Sequence, residues 1–260
     1  MAYLKGSIYS EALQMRSGLV IVTPKNVADL REKPPKAVYL LHGLSDNCDD
    51  WAQNAQLPLL ADAYRLIFLV PEVQRSFYTD MAYGPAYFTY IADELPQLCQ
   101  SLLPLTGKRE DTYVMGLSMG GYGALKCALS RPERFAGCAA FSAACILEDC
   151  VEFAQGQVMQ EMRSVFGLNS ELLPQNDLRF LAKECEKKPQ KPEIFMTCGT
   201  EDFIHEQSVK FREFMKGVDI PFTYQEWPGV HEWYLWNKSL HLACRHFFPR
   251  VTPEDYCNIV

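Results

Sequence analysis

Beyond residue 35 the chain alternates short apolar runs with segments in which apolar residues recur every three or four positions. Short apolar runs are typical of buried strands, and the wider spacing is typical of helices packed on a sheet. Strands are predicted at residues 37–41, 66–70, 112–117, 137–141, 193–198 and 222–226, and helices at 51–64, 87–102, 119–130, 206–216 and 232–247. This alternation predicts a mostly parallel sheet with helices on both faces.

The first part of the chain has a different pattern. Two short runs, at residues 5–13 and 18–23, follow each other with only a turn near Arg16-Ser17-Gly18 between them. We expect them to form two strands that extend the sheet antiparallel at one edge. No linker or internal repeat divides the chain, and its 260 residues suit one large α/β domain. Residues 1–260 are therefore predicted to form a single domain.

Residues 142–186 interrupt the alternation, because more than forty residues separate two successive predicted strands. A structureless loop of this length is uncommon in a compact domain. The segment is therefore predicted to form a small helical excursion over the strand ends. It would either cap the functional site or be an ordinary surface insertion, and both readings stay open.

Composition and charge argue against several classes of partner. The formal charge is −7 with acidic and basic residues interspersed, so no basic stripe is present to bind nucleic acid. The longest apolar runs are too short to cross a bilayer, and the first 16 residues lack the pattern of a secretory signal. The 10 cysteines form no Cys-x-x-Cys pair, which favours free thiols over metal ligands. A cytoplasmic protein without a nucleic-acid or membrane partner is expected.

The motif Gly116-Leu117-Ser118-Met119-Gly120 lies where a predicted strand meets a predicted helix. A Gly-x-Ser-x-Gly sequence in this context is the nucleophile elbow of α/β-hydrolases, a sharp turn that exposes the serine hydroxyl. Side chains at the glycine positions would crowd that turn. The predicted fold class is therefore the α/β-hydrolase fold, with an antiparallel N-terminal edge.

A serine nucleophile needs a base to accept its proton and an acid to orient that base. In α/β-hydrolases they follow the serine in the order acid, then histidine. Asp202 lies just after the predicted strand 193–198, and His231 lies just after the strand 222–226. Both therefore belong to the strand ends that also carry Ser118, and we predict that the three residues form a catalytic triad.

Other residues compete for these roles. Glu201 adjoins Asp202, but the shorter side chain of aspartate usually fills this role, so Asp202 is preferred. Asp149, after the preceding predicted strand, is the third candidate. Of the other histidines, His241 and His246 lie within the last predicted helix and His205 opens another, and the three are assigned no chemistry.

An acyl-transfer site also needs two N–H donors for the oxyanion that develops on the substrate. The backbone N–H of Met119, directly after the nucleophile, is predicted to be one donor. The other is assigned to the N–H of Leu44, because His42-Gly43-Leu44 follows the first parallel strand. His42 itself either braces this loop or has a purely structural role.

Aromatic residues cluster after several predicted strand ends and either line a substrate pocket or belong to the core. Trp51, Tyr83 and Trp233 are the predicted substrate-binding residues.

Four segments together resemble the tributyrin esterase branch of the esterase D-like α/β-hydrolases. They are Leu40-Leu41-His42-Gly43-Leu44-Ser45, the stretch from Phe77 through Tyr83-Gly84 to Glu94-Leu95-Pro96, Gly116 to Ala124, and His231-Glu232-Trp233. The resemblance implies a serine carboxylesterase that acts on short acyl chains, with Ser118, Asp202 and His231 as its triad and no metal or organic cofactor. It leaves a homo-oligomer open, as in related esterases.

Relatives of that branch include feruloyl and acetyl esterases, S-formylglutathione hydrolases and mycolyltransferases. S-formylglutathione hydrolases usually carry a histidine where this chain has Tyr122, and they usually lack the histidine that stands here at position 42. Both differences favour an ester substrate over S-formylglutathione, and a hydrolase-fold binding module without catalysis is the most remote alternative. Mycolyltransferases are secreted, which the predicted location does not fit.

Overall fold

The computed structural model describes residues 1–25, 29–152, 155–168 and 174–252. Its centre is an eight-stranded sheet in the order β1-β2-β4-β3-β5-β6-β7-β8. The strands are β1 (Tyr3–Ser10), β2 (Met15–Val22), β3 (Lys36–Leu41), β4 (Leu66–Pro71), β5 (Thr112–Leu117), β6 (Gly137–Phe141), β7 (Glu193–Gly199) and β8 (Phe222–Trp227). All pairs from β4 across to β8 are parallel, as the alternating pattern predicted.

The antiparallel edge is also confirmed. β1 and β2 form a hairpin, and β2 pairs antiparallel with β4. The first strand ends earlier than predicted, because the chain turns at residues 11–14, where Gln14 has a φ of +55°. Glu94 holds this turn by accepting hydrogen bonds from the Ser10 hydroxyl and the Glu11 amide.

Ten α-helices are assigned within the described residues. They are α1 (Asp50–Asn54), α2 (Leu57–Tyr64), α3 (Tyr87–Thr89), α4 (Leu95–Leu102), α5 (Met119–Ser130), α6 (Leu147–Glu152), α7 (Gly156–Phe166), α8 (Leu178–Glu186), α9 (His205–Met215) and α10 (Trp233–Phe247). Two predicted helices are interrupted. The first divides into α1 and α2, and a π-helical segment at Tyr90–Glu94 joins α3 to α4.

Both faces of the sheet are buried, because side chains alternate along each central strand. On β3, Tyr39 and Leu41 face one hydrophobic cluster, whereas Val38 and Leu40 face the other. Helix α5 runs through the first cluster, and its residues from Met119 to Leu129 are all buried. Within the described part of the chain, no helix combines the length and apolar character needed to span a bilayer.

The described cysteines are free thiols, and eight of the nine are buried. Burial raises their pKa values, to about 12 for Cys99 and Cys127. Among the described residues no disulfide stabilises the fold, so packing and backbone hydrogen bonding hold it together.

The described parts of residues 142–186 form α6, α7, a short 3₁₀ turn at Pro174–Asn176, and α8. Helix α7 contacts the loop after β4, where the amides of Ala82 and Tyr83 donate to the carbonyl oxygens of Val165 and Ser164. The 3₁₀ turn contacts α5, because the Tyr122 hydroxyl donates to the Asn176 carbonyl at 2.9 Å. The segment is thus joined to two elements that adjoin the predicted site.

Candidate active site

Ser118 lies at the tight turn between β5 and α5, with φ of +52° and ψ of −117°. This strained conformation projects the hydroxyl away from both elements. The flanking glycines are required by close backbone approaches. A Cβ at Gly116 would lie 2.4 Å from the Gly120 carbonyl oxygen, and a Cβ at Gly120 would lie 2.3 Å from the Leu41 carbonyl oxygen.

The structure brings together the three residues predicted as a triad. Ser118 Oγ lies 3.0 Å from His231 Nε2. On the other side of the imidazole, His231 Nδ1 lies 3.0 Å from both carboxylate oxygens of Asp202. An Nδ1–H that donates to the carboxylate leaves Nε2 free to accept the serine proton, which is the geometry of base-assisted nucleophilic attack.

Asp202 is suited to hold the histidine because it stays ionised although buried. Burial alone would raise its pKa, but the hydrogen bond and charge of His231 and the hydrogen bond from the Ile204 amide lower the pKa below its ordinary value. A carboxylate fixed in this way keeps the imidazole in one tautomer and orientation.

Glu201, the competing acid, lies outside this chain of hydrogen bonds. Its carboxylate accepts from the Gly229 amide at 2.5 Å, while its own amide donates to the Gly229 carbonyl at 3.1 Å. The Gly229 amide is the main reason that the pKa of Glu201 is lowered. Glu201 therefore ties the loop that carries Asp202 to the loop that carries His231.

The remaining competitors lie elsewhere. His205 pairs with Glu226 and His246 pairs with Glu193, while burial lowers the pKa of His241. Asp149 pairs with Lys210. Among the described residues, none of these side chains forms a hydrogen bond or ion pair with Ser118, Asp202 or His231.

The two predicted oxyanion donors follow neighbouring parallel strands, β3 and β5. Met119 opens α5, so its N–H has no acceptor within the helix. Leu44 lies in a turn in which the Gly43 amide donates to Asp46 at 3.0 Å. Within the described residues neither amide, of Leu44 or of Met119, donates to a protein acceptor. An unpaired N–H at each position is what the prediction requires.

Sequence reasoning missed Arg75, which braces the loop that carries the predicted donor Leu44. Its Nη1 donates to the Leu44 carbonyl oxygen at 3.1 Å. Its other nitrogens contact Glu161 of α7, with Nε–Oε2 at 2.9 Å and Nη2–Oε2 at 2.8 Å. Arg75 thus links the predicted oxyanion donor to the 142–186 segment through contacts between residues distant in sequence.

His42 is buried beneath the same loop. Its Nδ1 lies 2.8 Å from the Gly43 carbonyl, and its Nε2 accepts from the Val73 amide at 3.2 Å. The Tyr78 hydroxyl donates to the His42 carbonyl at 2.9 Å. These contacts fit the role of a brace.

The predicted substrate-binding aromatics differ in their surroundings. Trp51 is fully buried and its indole N–H donates to the Leu41 carbonyl at 2.9 Å, which argues against direct contact with substrate. Trp233 is half-buried and packs edge-to-face against Trp51, whereas Tyr83 is 63% exposed. Phe203, which sequence reasoning missed, is 78% exposed with its ring centroid 4.5 Å from that of His231.

The sequence and fold of the chain are similar to those of known proteins. The family described as Esterase matches residues 10–247. The chain belongs to this esterase family. An acetyl esterase from Caldicellulosiruptor saccharolyticus is 31% identical over 254 residues, covering 92% of this chain and 96% of the relative.

Two solved structures from Staphylococcus aureus share the fold of this esterase. They are the fluorophosphonate-binding serine hydrolase FphF, with a TM-score of 0.87, and the S-formylglutathione hydrolase FrmB, with a TM-score of 0.84. Each is 26% identical, and each match covers 95% of this chain and 98% of the other. The esterase is thus a serine hydrolase that acts on carboxylic ester bonds.

Proposed function

We propose that the esterase hydrolyses esters of short acyl chains through an acyl-enzyme on Ser118, and that it belongs with the tributyrin esterases. The observation that carries this proposal is the continuous hydrogen-bonded path from Ser118 Oγ through His231 to Asp202, with both steps at 3.0 Å. The acetyl esterase relative supports a small acyl group.

In the proposed reaction His231 Nε2 accepts the Ser118 proton as Oγ attacks the ester carbonyl. The carbonyl oxygen becomes an oxyanion and is held by the amides of Leu44 and Met119. His231 then gives its proton to the departing alcohol, which leaves an acyl group on Ser118. Water attacks this acyl group as His231 accepts its proton, and His231 then returns that proton to Ser118 Oγ as the C–Oγ bond breaks and the carboxylic acid leaves. Asp202 stabilises the imidazolium in both halves.

A thioester substrate is the second candidate, because FrmB shares the fold across nearly the whole chain. Hydrolysis of S-formylglutathione would use the same three residues. Tyr122 weighs against it, since its ring packs against Phe77 and its hydroxyl is bonded to the Asn176 carbonyl. The Tyr122 side chain thus fills a buried position and is not available to the substrate, as the imidazole of a histidine at this position would be.

Initial rates on p-nitrophenyl butyrate, methyl ferulate and S-formylglutathione test the proposal, with Ser118→Ala as the control. We expect the highest kcat/KM on butyrate and a loss of at least about 10⁵-fold in the variant. A butyryl group on Ser118, detected by mass spectrometry after rapid acid quenching, would support the acyl-enzyme. Activity retained by the folded variant would refute it, and a dominant rate on S-formylglutathione would establish the thioesterase instead.

A further inference from the structure

A cavity of about 390 Å³ lies beside the C-terminal half of α5. Its walls come from the loop after β4, from α3, from α5 and from the 3₁₀ turn and α8 of the 142–186 segment. Its lining includes Thr79, Phe88, Lys126, Arg131, Asn176 and Lys188. Lys126 follows Ser118 by eight positions, or about 12 Å along the helix, and none of Ser118, Asp202 or His231 lines the cavity. The volume is within the usual range for a small-molecule site.

Lys126 is the unusual residue of this cavity. It is only 3% exposed, although buried lysines are rare without a charged partner. Its Nζ donates to Thr79 Oγ1 and to Asn176 Oδ1, both at 2.8 Å. Both acceptors are neutral, so neither compensates the ammonium charge.

Among the described residues no carboxylate forms an ion pair with Lys126. The nearby Asp80 is engaged elsewhere, since its two oxygens accept from the amide and the hydroxyl of Thr89. Two aromatic rings attract the cation, with Nζ 5.1 Å from the Phe88 centroid and 5.6 Å from the Tyr122 centroid. Burial still dominates and lowers the pKa of Lys126 to about 7.

The geometry leaves one position on this lysine open. An ammonium group has three donors, and the protein accepts two of them. Besides Lys126, two cationic side chains, Arg131 and Lys188, and two carboxylates, Asp80 and Glu184, line the same cavity. Glu184 is paired with Lys187. Arg131 is paired with Asp93, and Lys188 donates to the Ser130 carbonyl at 3.0 Å, which is a neutral acceptor. Phe88, Leu129 and Leu181 supply apolar wall.

We propose that this cavity binds a small organic anion, a carboxylate or a phosphate monoester, whose charged oxygen accepts the third hydrogen bond of Lys126. Lys188, just after α8, would contact the same anion, and the apolar wall would hold the organic part of the anion. The anion supplies the compensating charge that the protein does not provide. Because Asn176 lies within the 142–186 segment and Lys188 lies just after it, an occupant would also join that segment to α5.

Binding is measured on protein whose Ser118 has first been blocked with a fluorophosphonate, so that the active site cannot accept the probe. Butyrate, benzoate, phenyl phosphate and inorganic phosphate are titrated at constant ionic strength by calorimetry, with benzamide as the uncharged comparison. We expect one site for an anion and none for benzamide. Preference for benzoate or for phenyl phosphate identifies the anion class. If the fluorophosphonate does not react, the proposed function fails, and the same titration on unmodified protein still tests the cavity.

Matched variants locate the site. Lys126→Met should weaken anion binding at least tenfold, and Lys188→Gln should weaken it about threefold, because each removes one cationic contact. Lys183→Gln should leave binding unchanged, since Lys183 of α8 does not line the cavity and donates to the Gly217 carbonyl. Anion binding that is equally strong in Lys126→Met, or no binding of any anion up to 10 mM (roughly the weakest affinity worth assigning), would overturn the proposal.

A second measurement uses the unaltered chain in case Lys126→Met does not fold. Acetic anhydride acetylates neutral amines, and peptide mass spectrometry reports the rate at each lysine. The preferred anion should slow acetylation of Lys126 at least threefold and leave Lys183 unaffected. Equal rates at Lys126 with and without the anion would contradict the proposed contact.

Discussion

Two regions meet above the carboxyl ends of the strands, and they are built differently. The catalytic strand ends carry Ser118, Asp202 and His231 on short loops whose backbones approach closely. The 142–186 segment is joined to the site both by backbone bonds, such as that from the Ala144 amide to the Ser118 carbonyl at 3.2 Å, and by side chains, through the Arg75–Glu161 pair and the bonds of Tyr122 and Lys126 to Asn176. The catalytic strand ends are thus fixed mainly by close backbone contacts, whereas the 142–186 segment relies in addition on side-chain contacts between residues distant in sequence.

The largest expected effect comes from the catalytic strand ends. Asp202→Asn should lower kcat about 10⁴-fold, because the amide would favour the wrong tautomer of His231. Glu201→Gln is the matched control and should cost less than about tenfold, since it only weakens the bond to the Gly229 amide. Steady-state kinetics on p-nitrophenyl butyrate measure both. A greater loss in Glu201→Gln would mean that Glu201 is the acid.

The second prediction tests the close backbone approach itself. Gly120→Ala would place a Cβ 2.3 Å from the Leu41 carbonyl oxygen, and we expect it to lower the free energy of unfolding by about 3 kcal/mol. Gly6→Ala is the control, because a Cβ there meets no atom within 4 Å. Urea denaturation compares the two. Equal stability of both variants would show that the elbow tolerates a side chain.

The third prediction concerns the contact between the two regions. Arg75→Gln should lower kcat about tenfold with little change in KM. The loop that carries the Leu44 N–H would lose its brace at the Leu44 carbonyl, and that N–H would stabilise the oxyanion less well. Glu161→Gln leaves the bond from Arg75 to the Leu44 carbonyl in place and should cost less than threefold. A change confined to KM would instead assign Arg75 to substrate binding.

The smallest effect is a pH dependence of stability. Between pH 7 and 10.5 the unfolded chain keeps the proton of Lys126, while the folded chain, in which its pKa is about 7, has lost it. The free energy of unfolding therefore rises with pH across this window, and Lys126→Met lacks this contribution. In anion-free buffer the free energy of unfolding of the wild type minus that of the variant should increase by on the order of 1 kcal/mol from pH 7 to 8.5. A constant difference would mean that Lys126 keeps its charge when buried.

Sequence alone was sufficient where the signal is local. The elbow at Ser118 lies at the predicted junction, since its glycines, strand and helix are contiguous. Local signals also mark the points where two predicted helices are interrupted, although the apolar periodicity continues across both interruptions. Pro58 occupies the first turn of α2, where proline favours a helix start. Pro96 has no N–H to donate to the preceding turn, at the point where the π-helical segment gives way to α4.

The remaining features depend on contacts between distant residues, which a single sequence does not reveal. Lys126 lies within the apolar stripe of α5, and its acceptors are 47 and 50 positions away. Arg75 reaches Leu44 and Glu161, which are 31 and 86 positions from it. Trp51 follows a strand end like a pocket residue, yet the packing of Phe141 and Trp233 against it encloses it.

The buried thiols affect how this esterase reacts with electrophilic reagents. A thiolate would compete with Ser118 for any electrophile, but burial raises the pKa of Cys127 to about 12 and that of Cys198 to about 11. Such groups stay protonated at neutral pH and are unreactive. A phosphonylating reagent therefore has Ser118 as its activated nucleophile, and the described thiols do not compete with it, so the active serine can be titrated without protecting them.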